Sequence, residues 1–282
     1  MAVFYNQATL TYAGGSTVSN ITQGEIAEEL SVTKTAVTES YTAGEDTTYA
    51  VSLVNTGEAA YTGLTVTDDL GAYELGADRV VPLDYTEGSV RYFVNGELQA
   101  APDTEVTEAG LVITGISVPA NGNAMLIYEA TPNGYASPEE GGTVTNTVTV
   151  SGGQLAADLT ASATITAVSE PVLSIVKSLT PLVVSGEREI TYTFTVYNNG
   201  SAEAGADDEL TITDTFDPVL TGITVTLNGA PTTAFTYDET TGAFVTTAGA
   251  ITVPAASFSR SIADGEWVTT PGQAVMTVTG TI

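Results

Sequence analysis

Lys34 and Lys177 are the only lysines in the chain, and 143 residues separate them. Each ends a copy of one phrase, Leu30-Ser-Val-Thr-Lys34 and Leu173-Ser-Ile-Val-Lys177. In an extended strand, side chains two apart share a face. Leu30, Val32 and Lys34 therefore face one way, as do Leu173, Ile175 and Lys177. The same parity puts Asp68 with Leu64, Val66 and Leu70, and Asp214 with Leu210, Ile212 and Phe216. It puts Asn146 with Val144, Val148 and Val150, and Asn6 with Phe4, Ala8, Leu10 and Tyr12. Burying an unpaired charge is costly, so the groups should meet in two trios, Lys34–Asp68–Asn146 and Lys177–Asp214–Asn6. The chemistry open to such a trio is amide exchange, in which an amine attacks a carboxamide carbon and ammonia leaves. An apolar surround favours the neutral amine and the neutral carboxylic acid, which supplies nucleophile and proton donor without a metal. The simpler alternative is a hydrogen-bonded ion pair beside an amide, or a lysine that reaches solvent at the strand end.

Other chemistry is thin. With no Cys and no His, the sequence holds no disulfide, no thiolate or imidazole metal site and no Ser-His-Asp or Cys-His triad. Six Lys+Arg stand against 34 Asp+Glu, a net charge of −28, which disfavours nucleic acid and anionic membrane as partners. Asp68-Asp69, Asp207-Asp208 and Glu139-Glu140 fit no calcium-loop spacing and read as solvated turn carboxylates. Asn20-Ile-Thr22 and Asn199-Gly-Ser201 match the glycosylation triplet, a short motif expected by chance in a Thr-rich chain. Trp267, the single tryptophan, falls in a loop insertion and reads as a partly buried aromatic. We expect no turnover enzyme, no catalytic site, no metal and no cofactor.

The elements that must hold the trios are strands. Thr and Val make up 79 of 282 residues, a β-branched excess suited to pleated sheets. Thr48-Tyr49 recurs as Thr191-Tyr192, Asn55-Thr-Gly57 as Asn198-Asn-Gly200, and Leu64-Thr-Val-Thr-Asp68 as Leu210-Thr-Ile-Thr-Asp214. Ile116-Ser-Val-Pro119 returns as Ile251-Thr-Val-Pro254, and Asn123–Tyr128 aligns with Gln273–Val278. Offsets that drift only at turns mean one domain used twice with different loops. Short alternating runs, punctuated by Asn-Gly pairs at 95, 121, 133, 199 and 228, predict strands and tight turns and no helix. The fold class is all-β, two tandem immunoglobulin-like β-sandwiches preceded by a β-hairpin. The boundaries read as 1–28 for the hairpin, 29–170 for a complete sandwich and 171–282 for a second.

The Leu-Ser-Ile-Val-Lys opening, the Thr191-Tyr-Thr-Phe-Thr-Val-Tyr-Asn-Asn-Gly200 strand and turn, and Ile212-Thr-Asp-Thr-Phe216 resemble the bacterial domain-of-unknown-function-11 repeat. The resemblance covers nearly the whole chain and implies a structural module found in tandem in surface and cell-wall proteins. The Lys/Asp/Asn trio in turn resembles the intramolecular isopeptide cross-links of Gram-positive pilins and collagen adhesins.

The repeat frame is cut unusually. The first copy closes with Gly141–Val150 and Leu159–Ile165, a hairpin that the second copy lacks. Val3–Tyr12, a Gly14-Gly15 turn and Val18–Thr22 form such a hairpin with no domain before it, Asn6 matching Asn146. Folding back is awkward, because the seven residues from Gln23 to Glu29 reach about 25 Å at most past a whole sandwich. The expected solution is insertion into the next copy, which is head-to-tail and generates a filament. The donor's inward face would be Phe4, Asn6, Ala8, Leu10 and Tyr12. The expected function is a self-assembling structural subunit of an extracellular or spore-surface filament, with itself as partner. A monomeric adhesin or glycan-binding module is the alternative. The N-terminal segment shows no signal peptide, and no run of 18 apolar residues predicts a membrane span.

Overall fold

The computed structural model describes all residues except Met1, Ala27, Glu28, Val184, Ser185 and Glu187. The regular structure of the described residues is all strand apart from one three-residue 3-10 turn at Ala206–Asp208, where the sequence predicts no helix. It divides into two compact units, Met1–Ala136 with Thr143–Thr166, and Ser137–Gly142 with Ala167–Ile282.

Among the described residues the N-terminal segment pairs only with itself. Strand β1 (Ala2–Asn6) runs against β4 (Thr22–Ile26), and β2 (Thr9–Tyr12) against β3 (Gly15–Val18). Sequence alternation predicts one unbroken strand from Val3 to Tyr12. Instead Gln7 and Ala8 face three residues, Ser19 to Ile21, so the ladder slips by one between Asn6↔Thr22 and Thr9↔Val18. The slip is stitched by Ser19, whose hydroxyl accepts the Ala8 N–H at 2.9 Å and whose carbonyl accepts from Gln7 Nε2 at 2.8 Å. The Phe4 ring covers Gly24 so closely that a Cβ there would lie 2.3 Å from it, which explains a glycine in mid-strand.

The first sandwich opens with β5 (Leu30–Ala36), β6 (Ser40–Tyr41), β7 (Thr47–Asn55) and β8 (Tyr61–Asp68). A short ladder of β9 (Tyr73–Leu75) and β10 (Asp78–Val80) follows, then β11 (Leu83–Tyr85), β12 (Arg91–Val94) and β13 (Glu97–Leu98). Next come β14 (Asp103–Thr107), β15 (Gly110–Val118) and β16 (Gly122–Pro132), and then the closing pair β17 (Thr143–Gly152) and β18 (Leu159–Ala167). One sheet has the order β13-β12-β16-β7-β5 and the other β14-β15-β8-β17-β18-β6. The four strands β5, β7, β16 and β12 supply an A-B-E-D sheet, and β8, β17 and β18 a C-F-G sheet, the immunoglobulin-like arrangement. Alternate residues of β7, β8, β16 and β17 are buried, as half-covered strands require. Asn95, Asn121 and Asn228 adopt positive φ in their turns, whereas at 133 the side chain makes the turn by accepting the Tyr135 N–H.

The second unit repeats the first sheet, and its second sheet has three strands among the described residues. Its strands are β19 (Leu173–Thr180), β20 (Glu189–Asn198), β21 (Thr213–Thr215), β22 (Thr221–Leu227) and β23 (Ala230–Pro231). They continue with β24 (Phe235–Tyr237), β25 (Ala243–Thr246), the hairpin β26 (Ser257–Arg260) and β27 (Trp267–Thr270), and β28 (Gly272–Thr281). One sheet is β19-β20-β28-β22-β23, matching A-B-E-D. The other is only β21-β25-β24, and among the described residues nothing pairs the far edge of β21. The sequence predicts a strand from Leu210 to Asp214, but the ladder holds only Thr213–Thr215, against eight residues in β8. Its counterpart β8 is paired on both edges, by β15 and β17, and a strand held on one side has less to keep it extended. The core gathers around Phe194, Phe216, Phe244, Met276 and Val278.

Candidate functional site

In the first sandwich the lysine and aspartate of the predicted trio meet. Lys34 on β5 and Asp68 at the end of β8 are both buried, with Nζ to Oδ2 at 2.5 Å. Two tyrosines that sequence parity did not bring into the site complete it. Tyr49 of β7 and Tyr128 of β16 are cross-strand partners whose rings stack at 5.7 Å between centroids. Lys34 Nζ sits 4.9 Å from the first ring centroid and 5.9 Å from the second. The Tyr128 hydroxyl donates to the same Oδ2, while Oδ1 accepts the Leu70 N–H at 2.9 Å. The recurrence of Tyr49 as Tyr192 was the only sequence signal for this layer.

Asn146 lies on β17, two residues from Val148, the cross-strand partner of Asp68. It is fully buried, and neither its Nδ2 nor its Oδ1 has a hydrogen-bond partner. An amide left in that state costs about 1–3 kcal/mol. The amide lies near both tyrosine hydroxyls and favours their ionised forms, yet it meets full hydrogen-bond geometry with neither. Strands β5 and β17 approach to within 8 Å between Cα atoms, so lysine and asparagine come from neighbouring strands of opposite sheets. Burial pushes the Lys34 amine below the usual lysine range, against the opposing pull of Asp68. Burial also pushes the Tyr128 and Tyr49 hydroxyls up, and the Asp68 charge adds to it.

The second unit holds half of the equivalent site. Lys177 contacts Asp214 and lies over the rings of Tyr192, Phe194 and Phe216 at 4.5, 5.4 and 5.5 Å. Parity predicts Leu173, Ile175 and Lys177 facing inward. In the single chain Leu173 and Ile175 are exposed, and 41% of the Lys177 side chain is open against none of Lys34. Parity reports which side a residue faces and not whether another strand covers that side. Here β19 and the β21 segment border an open groove, a cavity of about 200 Å3 walled by Leu173, Ile175, Val196, Leu210, Ile212 and Ile251. A second recess of about 360 Å3 takes in Lys177 and Asp214. The Thr215 N–H bonds to Asp214 Oδ1, whereas Asp69, its counterpart, donates to the Thr147 carbonyl of β17.

Asn6, the third predicted member, stands exposed on the hairpin, which groups with the first unit. Phe4, Leu10 and Tyr12 on the same predicted face are 54%, 64% and 59% exposed, and Ala8 is exposed too. The corresponding Val144, Asn146, Val148 and Val150 of β17 are all buried.

The weaker candidates have local roles. Asp69 Oδ1 accepts the N–H groups of Gly71 and Thr147, and Asp208 accepts that of Gly205. Among the described residues no group of acidic side chains is arranged to hold a metal. Trp267 pairs with Arg260 across the β26–β27 hairpin, the guanidinium 4.2 Å from its ring.

The tyrosine layer gives a pH prediction. Tyr41 is also buried, and desolvation, then Tyr73, raises it from 10.0 to about 12. A group raised on folding contributes stability that is whole below its unfolded pKa and is lost as pH climbs through the folded value. The first sandwich should therefore lose stability from pH 10 towards 12. In an alkaline titration, Tyr41, Tyr49 and Tyr128 should ionise late and together with unfolding. Early tyrosinate absorbance from all 13 tyrosines in a still-folded protein would contradict this.

No protein-family model matches the chain. No curated protein matches it either. Among solved structures it is similar to BcpA, the major pilin subunit of Bacillus cereus, at 10% identity over 96% of this chain and 73% of that one, TM-score 0.37. The pilus backbone RrgB of Streptococcus pneumoniae is similar at 13% identity over 86% of this chain and 56% of that one, TM-score 0.32. The N-terminal domain of the Streptococcus gordonii adhesin Sgo0707 is similar at 14% identity over 54% of this chain, TM-score 0.36, and the match spans 35% of that domain. A glycoside hydrolase and a macrocyclisation enzyme are matched to similar depth, so these likenesses carry no functional argument.

Proposed function

We propose that this chain is the structural subunit of a bacterial surface or spore-associated filament. Copies join head to tail, the N-terminal hairpin of one completing the second sandwich of the next by donor-strand complementation. One observation carries the reading: β17 of the first sandwich fills the edge of β8, no described residue pairs the matching edge of β21, and the hairpin with the matching residues is exposed. Transferring the β17 register puts Ala8 opposite Asp214 and Leu10 opposite Ile212, from Val148↔Asp68 and Val150↔Val66. Asn6 then occupies the position that Asn146 holds in the first sandwich.

The finer part of the proposal is covalent. Lys34 Nζ attacks Cγ of Asn146, and Lys177 Nζ attacks Cγ of Asn6 from the neighbouring copy. In each case the C–Nδ2 bond breaks, the aspartate carries the amine proton to Nδ2, and ammonia leaves. The reaction happens once, as maturation and not as turnover. The unpartnered Asn146 amide beside a buried amine and carboxylate supports it.

The assembly reading is tested on two fragments. Residues 29–170 should unfold cooperatively alone, because that sandwich has both sheets. Residues 171–282 should be unfolded or aggregated alone and should gain cooperative unfolding when a peptide covering residues 1–28 is added. Cooperative unfolding of 171–282 without peptide would overturn donor-strand complementation. Electron microscopy of the purified full chain is the companion measurement, and a population of monomers only would favour an adhesin.

A further inference from the structure

We infer that Tyr128 is a positioning residue for the Lys34–Asn146 bond, and that its absence from the second unit makes the bond between copies the slower of the two. The inference rests on the cross-linking reading above and concerns the order of events within it. Asp68 must take a proton from Lys34 and deliver it to the departing Nδ2. A carboxylate does this best when its oxygens are held in one orientation. Both are held here: Oδ1 by the Leu70 N–H, and Oδ2 by Lys34 Nζ and the Tyr128 hydroxyl. The Tyr128 ring is fixed in turn by its stack on Tyr49 and by full burial.

The second unit keeps the tyrosine of β20 and loses the one opposite. Tyr192 faces Val278, where Tyr49 faces Tyr128. The place of the missing ring is taken by Phe216, which stacks on Tyr192 at 4.9 Å and carries no hydroxyl. Leu70 is the residue that matches Phe216 in the first repeat. Among the described residues Asp214 is therefore held by Lys177 and the Thr215 N–H, with 18% of its side chain open. The consequence is a sequence of events. The bond within a chain closes on folding, while a docked hairpin has time to leave before it is fixed, so a poorly seated neighbour is released and not welded in place.

The test uses the full chain, sampled at intervals after induction and digested with a glutamate-specific protease. The linked Lys34–Asn146 and Lys177–Asn6 peptides are quantified separately by mass spectrometry. In the wild type the first should appear ahead of the second. Tyr128→Phe should slow the first by roughly 100-fold, the scale of losing one preorganised donor, while thermal unfolding stays cooperative. Val278→Tyr with Phe216→Leu, which rebuilds the first-repeat pair, should speed the second, an effect that a purely structural role for the tyrosine does not produce. Linked peptides forming at unchanged rates in both variants overturn the inference and leave the cross-linking reading standing. If Tyr128→Phe does not fold, the double variant decides, and no gain in its rate overturns the inference. Linked peptides absent from the wild type at all times overturn the cross-linking reading and the inference with it.

Discussion

A chain lacking residues 2–23 should form no ordered fibres. The hairpin presents Phe4, Leu10 and Tyr12 to solvent, each more than half exposed, on a segment that among the described residues pairs only with itself. Two-stranded hairpins are marginal in water, so this one is stabilised chiefly by what it docks against. Burying each of the large side chains is worth ~1.5–3 kcal/mol before ordering costs of about 1–2 kcal/mol per backbone residue. Part of that ordering is already met by the β1–β4 and β2–β3 ladders. On the acceptor side, the groove walled by Leu173, Ile175 and Ile212 and the unpaired edge of β21 form an aggregation-prone surface when left open. The truncated protein should therefore show amorphous aggregates in negative stain, with the first sandwich folded. Adding a peptide covering residues 1–28 should give soluble capped subunits. Leu10→Asp in the full chain should weaken assembly in the same direction, because it places a charge opposite Ile212. Regular filaments from the truncated chain would sink the donor-strand reading.

Much of this was legible in the sequence, for reasons that also mark where legibility ends. Period-two alternation put Lys34 and Asp68 on inward faces, and repeat matching put Lys177 and Asp214 in corresponding places, because both signals are local. The tyrosine layer was not legible in that way. Tyr128 reaches Asp68 across the sandwich from a strand 60 residues away, and only the cross-strand register brings its hydroxyl there. The shortened β21 and the one-residue slip beside Asn6 were missed as well. Both depend on which neighbour a strand has, and alternation cannot report that. The exposure of Lys177 follows the same logic, since among the described residues no strand covers the face it points to.

Replacing Lys177 with Ala should abolish the covalent connection between copies and leave the bond in the first sandwich intact. Wild-type filaments boiled in detergent should run as a ladder, with one ammonia lost per bond by intact mass. In Lys177→Ala the ladder should collapse to a monomer that has lost one ammonia, and Asn6→Ala should give the same pattern. The two lysines differ as tests because their surroundings differ. Removing Lys34 leaves Asp68 wholly buried and without its cation, a change expected to cost about 3–5 kcal/mol, so lost fold and lost bond would be confounded. In the free subunit Asp214 keeps access to water and the Thr215 N–H, so losing Lys177 leaves the subunit's fold intact, and the cost of covering an unpaired Asp214 falls on docking alone, where it weakens assembly. Filaments should still form in Lys177→Ala, because docking rests on the apolar face of the hairpin and on the backbone edge of β21. They should then dissociate on boiling. A ladder that persists in Lys177→Ala would place the bond elsewhere. Wild-type filaments that boil to monomers of unmodified mass would leave both clusters as ion pairs.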